Sequence, residues 1–421
     1  MLIFSSIISF QLKINLSNVF GTFFYNEFLL NYNIQTKDGG VVSDLRTHWN
    51  YILLLKKDLG NLLNLTMGED TNLINFPLHH IIFSQLSFVD TLEVYLLTIF
   101  IVCLFFPIIF FFSLSKRFEN LNKLNLIIIS SLIYIFPVFQ YSSIWGNNHI
   151  TALIFFSIGI YFYNIFNSEK SYKIKYLLLS IIFLSITCYI KQFYIFFFIY
   201  LIADTYKKIA IKKFFWLLFL IFTFALPGVI FLYKNPLLFF GIKQNVTNFN
   251  SAILVSGSIV FFYVIPFIIQ NIINYNGNLK DKIFSIYDKK LFFISTLIVF
   301  LCSLNFEYNS TVGGGIFLKI SNYFFNNQFL VFPSALLGIY SLLFYCEHKQ
   351  SNFLLTILIL ITFSTGFFIF QKYFEPMFFL IFLNFFDKKK IILSIKENNY
   401  VMIIYFCTYY LLTNYMYFRG L

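Results

Sequence analysis

The stretch "SDLRTHW" places Asp44, Arg46 and His48 within five residues of one another. A carboxylate four residues before an imidazole offers a base that could take a proton from a hydroxyl. A guanidinium between them suits an anionic group. A second acidic pair, Glu69 and Asp70, precedes "NFPLHHII", in which His79 and His80 follow Pro77. Further along, "SSIWGNNH" offers Trp145 with Asn147, Asn148 and His149, "YIKQFY" offers Lys191 and Gln192, and "QKYFEP" offers Lys372 and Tyr373. Aromatic and amide groups stack on and hydrogen-bond to sugars, and lysines hold phosphate. A zinc site from His48, His79 and an acid fits no standard ligand spacing, so neither a metal nor another cofactor is expected.

These groups sit in a chain that is otherwise almost without charge. Of 421 residues, 59% are hydrophobic, only 11% are charged and 63 are phenylalanine. A soluble domain of this length needs more polar surface to cover its core. Apolar runs of 17 to 25 residues recur from about residue 91 onward, the length that crosses a hydrocarbon core as a helix. The expected fold class is therefore all-α, a polytopic transmembrane helical bundle of about 11–13 spans formed by one domain over residues 1–421. The net charge of +12 does not point to nucleic acid, because lysine and arginine in cytoplasmic loops alone make a membrane protein basic. The five cysteines lie in or beside apolar runs and read as packing residues.

The spans that must position these groups are expected at 91–114, 124–140, 149–166, 176–190, 193–204, 214–233, 251–272, 291–304, 327–345, 353–371, 376–386 and 400–417. The loops between them alternate in charge. Those at 115–123, 167–175, 205–213, 273–290, 346–352 and 387–399 hold nearly two-thirds of the 30 basic residues, which marks that side as cytoplasmic. The opposite side then carries loop 31–90, residues 141–148, loop 234–250, the Gly-rich loop 305–326 and 371–376. Region 176–204 is too short for two full spans yet has lysines at both ends. It reads as a hairpin of short helices with Lys191 and Gln192 at its outer apex. A single span would bury Lys191 in the bilayer.

Within loop 31–90, "KDGG" signals a turn. From His48, the residues Trp49, Ile52, Leu53, Lys56, Leu59, Leu62 and Leu63 follow helical spacing. They predict an interfacial amphipathic helix anchored by Trp49, with Asp44 just before its N-terminus. Asp44 equally suits a helix cap there. Pro77 is placed as first residue of the next helix. Neighbouring histidines on a helix point apart, so only one of His79 and His80 is expected to face a site. Lys191 and Lys372 also fit lysines that snorkel from span ends, and Trp145 fits the interfacial aromatic belt.

Taken in order along the chain, these segments resemble the GT-C superfamily of polytopic glycosyltransferases that use polyprenyl-phosphate-linked sugars. Asp44 with His48 is similar to the "D-E-x-x-H" segment of the dolichyl-phosphate-glucose glucosyltransferases, with Leu45 in place of the second acid. "LINFPLHHII" resembles their "T-x-P-P-x-Y" segment with one proline, Pro77. "CYIKQFYIFF" resembles "T-R-Q-x-x", and "QKYFEPMFF" resembles "R-Y-x-x-P", with Lys191 and Lys372 where arginine is common.

The resemblance implies transfer of a sugar from a polyprenyl-phosphate-linked donor to a lipid-linked glycan or other acceptor, with inversion. Asp44 would be the base. His48, Arg46, His79, His80, Trp145, Lys191, Gln192, Lys372 and Tyr373 would bind substrate. The expected place is a bacterial inner membrane with the site facing the periplasm, or the endoplasmic reticulum with a lumenal site. The alternative is a lipid-linked oligosaccharide flippase, polymerase or other transporter, which needs charged groups along a transmembrane path that the spans do not offer. A structural membrane subunit is a third reading.

Overall fold

The structure is a computed structural model. It describes residues 41–60, 76–144, 146–168, 173–234, 248–274, 287–308, 313–346, 350–362, 369–396 and 399–419. Among these, all regular structure is helical. The N-terminal layer is α1 (Val41–Lys57) and α2 (Leu78–Gln85). The body follows as α3 (Leu92–Arg117), α4 (Lys123–Ser131), α5 (Pro137–Ile144), α6 (Asn148–Ser168), α7 (Ile174–Cys188), α8 (Ile195–Thr205), α9 (Ile211–Lys234) and α10 (Phe249–Asn274). The C-terminal part holds α11 (Lys289–Ser303), α12 (Gly315–Phe325), α13 (Val331–Tyr345), α14 (Gln350–Ile361), α15 (Met377–Phe385), α16 (Lys388–Ile395) and α17 (Tyr400–Arg419).

Among the described residues, four helices, α3, α6, α9 and α10, are long and apolar enough to cross a membrane. Helix α3 shows how the sequence builds one. Thr91 caps its N-terminus by accepting from the Val94 amide, Glu93 lies in the first turn, and Lys116 and Arg117 in the last, each complementing the helix dipole. Tyr95, Ile99, Cys103, Phe106, Phe110 and Leu114 recur at helical spacing and are buried. Its outward face is apolar too, with Leu97, Ile101, Phe105, Ile108 and Phe112 exposed. A helix apolar all round belongs in a core or in hydrocarbon. On α9 the exposed side is equally apolar, from Phe215 and Trp216 to Tyr233.

Helix α6 packs between α3 and α7, and α10 pairs with α13. The latter pair is close because two glycines face each other: a Cβ on Gly338 would stand 1.9 Å from the Gly257 carbonyl oxygen. Such small-residue contacts let helix backbones approach. Ser258 and Ser334 add a hydroxyl pair at 2.8 Å across the same seam.

The hairpin at 176–204 forms as the charge pattern requires. Helices α7 and α8 are separated by residues 189–194. Phe162 and Phe183 stack at 5.7 Å between α6 and α7. Helix α8 then runs alongside α6, from the Phe156–Tyr194 contact at 4.6 Å to the bond between Tyr163 and Asp204. The apex is anchored on α9, where Tyr189 donates to the Phe224 carbonyl and accepts from the Gly228 amide at 2.9 Å. The tyrosine hydroxyl is thus inserted into the helix ladder beside Pro227, where the backbone is already interrupted.

Several expectations need correction. Helix α1 begins at Val41, so Asp44 lies inside its first turn rather than before it, and the helix stops at Lys57 rather than continuing to Leu63. Its buried stripe is Leu45, His48, Ile52 and Leu55, whereas Leu53 and Leu59 are exposed and Trp49 packs on Tyr95 at 5.8 Å. Pro77 takes the N-cap position, one residue earlier than expected. The run 124–140 breaks into α4, a 3-10 turn at Leu132–Ile135 and α5, because Pro137 lacks the amide to continue one helix. The Gly-rich loop ends at Gly314, and α12 occupies the rest of it.

Candidate functional site

The polar groups of the N-terminal layer meet the start of α6 and two loop apices at one end of the bundle. His48 from α1 and His79 and His80 from α2 are all buried. Their ring centroids lie 5.1–5.6 Å apart. His48 Nδ1 stands 2.9 Å from His80 Nε2, so one ring donates to the other. Both adjacent histidines thus enter the cluster, contrary to the expectation that only one would. Their ring planes stand at 90° to each other, but α1 packs across both.

Hydrogen-bond bookkeeping fixes the state of His79. Tyr95 spends its O–H on the Gly146 carbonyl, so it can only accept from His79 Nε2, 2.8 Å away. His79 Nδ1 then accepts from the Thr151 hydroxyl at 3.0 Å. Both ring nitrogens are engaged within the protein, which leaves neither for a metal or a substrate. Gly146 is required in this chain: its φ is +63°, and a Cβ would stand 2.6 Å from the Tyr95 ring.

The electrostatics agree with neutral rings. Burial, with the charges of Lys191 and Lys372 added, lowers the pKa of His48 to about 3. Burial and the neighbouring rings push His79 and His80 well below the usual histidine range. The two lysines converge on this cluster although they are far apart in sequence, since both act on His48 and on His149. The surrounding contacts make the same connection. Leu78 N donates to the Tyr189 carbonyl at 3.3 Å, and the rings of Phe193 and Tyr373 lie 6.1 Å apart. The Lys372 ammonium rests 4.9 Å from the centre of the Phe370 ring.

His149, in the first turn of α6, closes the ring of elements. Its Nε2 is 3.3 Å from the Glu375 carbonyl, and its ring is 6.4 Å from that of Phe193. Glu375 was not singled out by sequence, although it is an acid set directly against an apolar run. Its carboxylate is fully buried and accepts from Val138 N at 2.8 Å, Tyr263 at 2.6 Å and Tyr409 at 3.1 Å. Gln371 donates to both tyrosine oxygens, at 3.1 and 3.0 Å. Burial outweighs these donors and raises the Glu375 pKa to about 7. The network ties the 371–376 loop, and so Lys372, to α5, α10 and α17.

The remaining sequence candidates fall in different places. Asp44 occupies the helical position one turn before His48, on the same face of α1; its side chain lies outside the described residues. Trp145, Glu69 and Asp70 also lie outside them, as do residues 1–40. Arg46 is on the exposed side of α1, and Gln192 and Tyr373 are half-buried beside the lysines. Lys319 is exposed on α12. The Gly-rich loop reaches the site indirectly, because Gly314 N donates to the Ile369 carbonyl at 2.8 Å.

This end also holds buried polar atoms that have no partner among the described residues. They are His80 Nδ1, His149 Nδ1, the Tyr194 hydroxyl and both atoms of the Asn148 amide. Such groups cost stability unless something else satisfies them. The arrangement offers two cations for an anion, neutral imidazoles and amides for hydroxyls, and a helix placing an acid nearby. No family model matches the chain, and no curated protein or solved structure matches it either.

Proposed function

We propose that the chain is a multi-pass membrane glycosyltransferase, using a polyprenyl-phosphate-linked sugar at the end of the bundle that holds His48, Lys191 and Lys372. The observation that carries this reading is that the Lys191 and Lys372 apices meet, with the Phe193 and Tyr373 rings 6.1 Å apart, and both border His149. Two lysines from separate loop apices, held by aromatic and hydrogen-bond contacts, suit a phosphate better than a snorkelling role for each. In this reaction the Asp44 carboxylate removes the acceptor hydroxyl proton. The acceptor oxygen forms a bond to the anomeric carbon, the carbon–oxygen bond to phosphate breaks, and its electron pair leaves on the phosphate. Attack from the side opposite the phosphate inverts the anomeric centre. Lys191 and Lys372 stabilise the negative charge that develops on the leaving group.

The orientation follows from the loop charges, which put this end on the extracytoplasmic side, facing the periplasm or an equivalent lumen. The acceptor is a lipid-linked glycan, another lipid or a protein presented at that surface. The test is Asp44→Asn, assayed in membranes by release of undecaprenyl phosphate from undecaprenyl-phosphate-linked glucose, galactose and mannose. Loss of roughly 1,000-fold or more is expected, with unchanged thermal unfolding in detergent. Turnover at the wild-type rate removes Asp44 as base.

A further inference from the structure

We propose that His149 is a sugar-recognition residue, its Nδ1 accepting a hydrogen bond from a hydroxyl of the donor sugar. The proposal rests on the glycosyltransferase reading above and deepens it.

The argument starts from the partner of the other ring nitrogen. A carbonyl oxygen can only accept, so His149 Nε2, at 3.3 Å from the Glu375 carbonyl, carries the ring proton. In the neutral ring Nδ1 is then a lone-pair acceptor, buried and without a donor among the described residues. The orientation is held from both sides. The His149 amide donates to Asn147 Oδ1 at 2.9 Å, and the Glu375 carboxylate is fixed by Val138, Tyr263 and Tyr409.

Position selects the ligand. The His149 ring lies 6.4 Å from Phe193 of the Lys191 apex and is hydrogen-bonded to Glu375 of the Lys372 loop, so it stands beside the phosphate the two lysines would hold. The phosphodiester that links lipid to sugar carries no O–H to donate to an acceptor, and a sugar hydroxyl does. Next to His149, the wholly buried Asn148 has both amide atoms unpartnered, giving a second donor and acceptor in the same turn. A hydroxyl-bearing ring is the group that matches an acceptor-only imidazole with an amide beside it.

Two substitutions separate recognition from structure. His149→Gln places an amide N–H where Nε2 stood, keeping the tether to the Glu375 carbonyl but removing the Nδ1 acceptor. His149→Asn places an oxygen near Nδ1, keeping the acceptor but losing the tether. The measurement is binding of undecaprenyl-phosphate-linked glucose, galactose and mannose, and of sugar-free undecaprenyl phosphate, to the full chain in detergent. The expected result is that His149→Gln weakens the preferred sugar-linked lipid roughly 10- to 100-fold and leaves the sugar-free lipid unchanged, while His149→Asn restores most of the difference. Equal weakening of both lipids by His149→Gln, or none of either, overturns the assignment. If the wild-type protein binds sugar-free lipid but gains nothing from any sugar, sugar recognition by His149 is overturned while the lysine site stands. If it binds neither lipid, the glycosyltransferase reading falls and takes this one with it.

Discussion

Two buried polar clusters in this molecule differ in what they leave open. Between α3, α6 and α15, Ser113 donates to Asn384 Oδ1 at 2.9 Å. Asn164 Nδ2 reaches Asn384 Oδ1 at 2.7 Å and Ser113 Oγ at 3.1 Å. Asn384 spends its own amide hydrogens on the Leu380 carbonyl at 2.8 Å. Beyond it, Asp204 is paired with Lys208 and takes further bonds from Tyr163 and Ser351. These groups serve one another, which is how polar residues join helices in apolar surroundings. At the other end of α6, the histidine cluster is only partly closed. His79 is saturated, whereas His80, His149, Asn148 and Tyr194 keep unpartnered atoms beside two lysines that act on the same rings. The contrast separates polar groups that satisfy one another from polar groups that the described residues leave open.

That contrast breaks if the closed cluster carries activity or if the open one can be substituted with activity intact. The largest stability effect is expected for Asn384→Leu, which leaves Ser113 and Asn164 without their shared acceptor. A loss of about 2–3 kcal/mol is expected, seen as a fall of several degrees in thermal unfolding in detergent, with sugar transfer by the surviving folded protein unchanged.

A second effect should appear as pH dependence at the open end. His48 has its pKa lowered to about 3 from 6.5, so its contribution to stability is present above pH 6.5 and is lost as the pH falls below that. Glu375 runs the other way. Its pKa is raised from 4.5 to about 7, so stability is full below pH 4.5 and is lost as pH rises through 7. Glu375→Gln removes only the second term. The unfolding temperature of this variant relative to wild type should therefore rise between pH 5 and pH 8. A difference independent of pH contradicts a buried, titrating carboxyl in the Lys372 loop.

Much of this was legible in the sequence because it depends on local rules. Among the described residues, the helical character and four of the expected long apolar helices follow from apolar runs, whereas the other expected spans form shorter helices. The α7–α8 hairpin follows from lysines at both flanks and Lys191 between them. The nearness of Lys191 and Lys372 to one cluster was suggested only by their shared side of the chain, and tertiary contacts make it specific. What sequence missed depends on packing between distant elements. Nothing local says that Tyr95 spends its hydroxyl on Gly146 and thereby fixes the tautomer of His79. The inward turn of both His79 and His80 depends on α1 crossing α2, not on the spacing within α2. Glu375 looked like one polar residue of a loop, and its meaning comes from tyrosines 112 and 34 residues away. The helix at Gly315–Phe325 was hidden by the glycines that precede it.

The most direct test of the account is binding of sugar-free undecaprenyl phosphate to four forms of the full chain: wild type, Lys191→Met, Lys372→Met and Lys208→Met. Removing a charge-assisted contact to phosphate at the open end should weaken binding roughly tenfold or more for each of the first two substitutions. Lys208→Met, in the closed pair with Asp204, should bind as wild type does. Equal affinity for all four proteins, or a loss confined to Lys208→Met, would contradict the placement of the lipid-phosphate site at the histidine end.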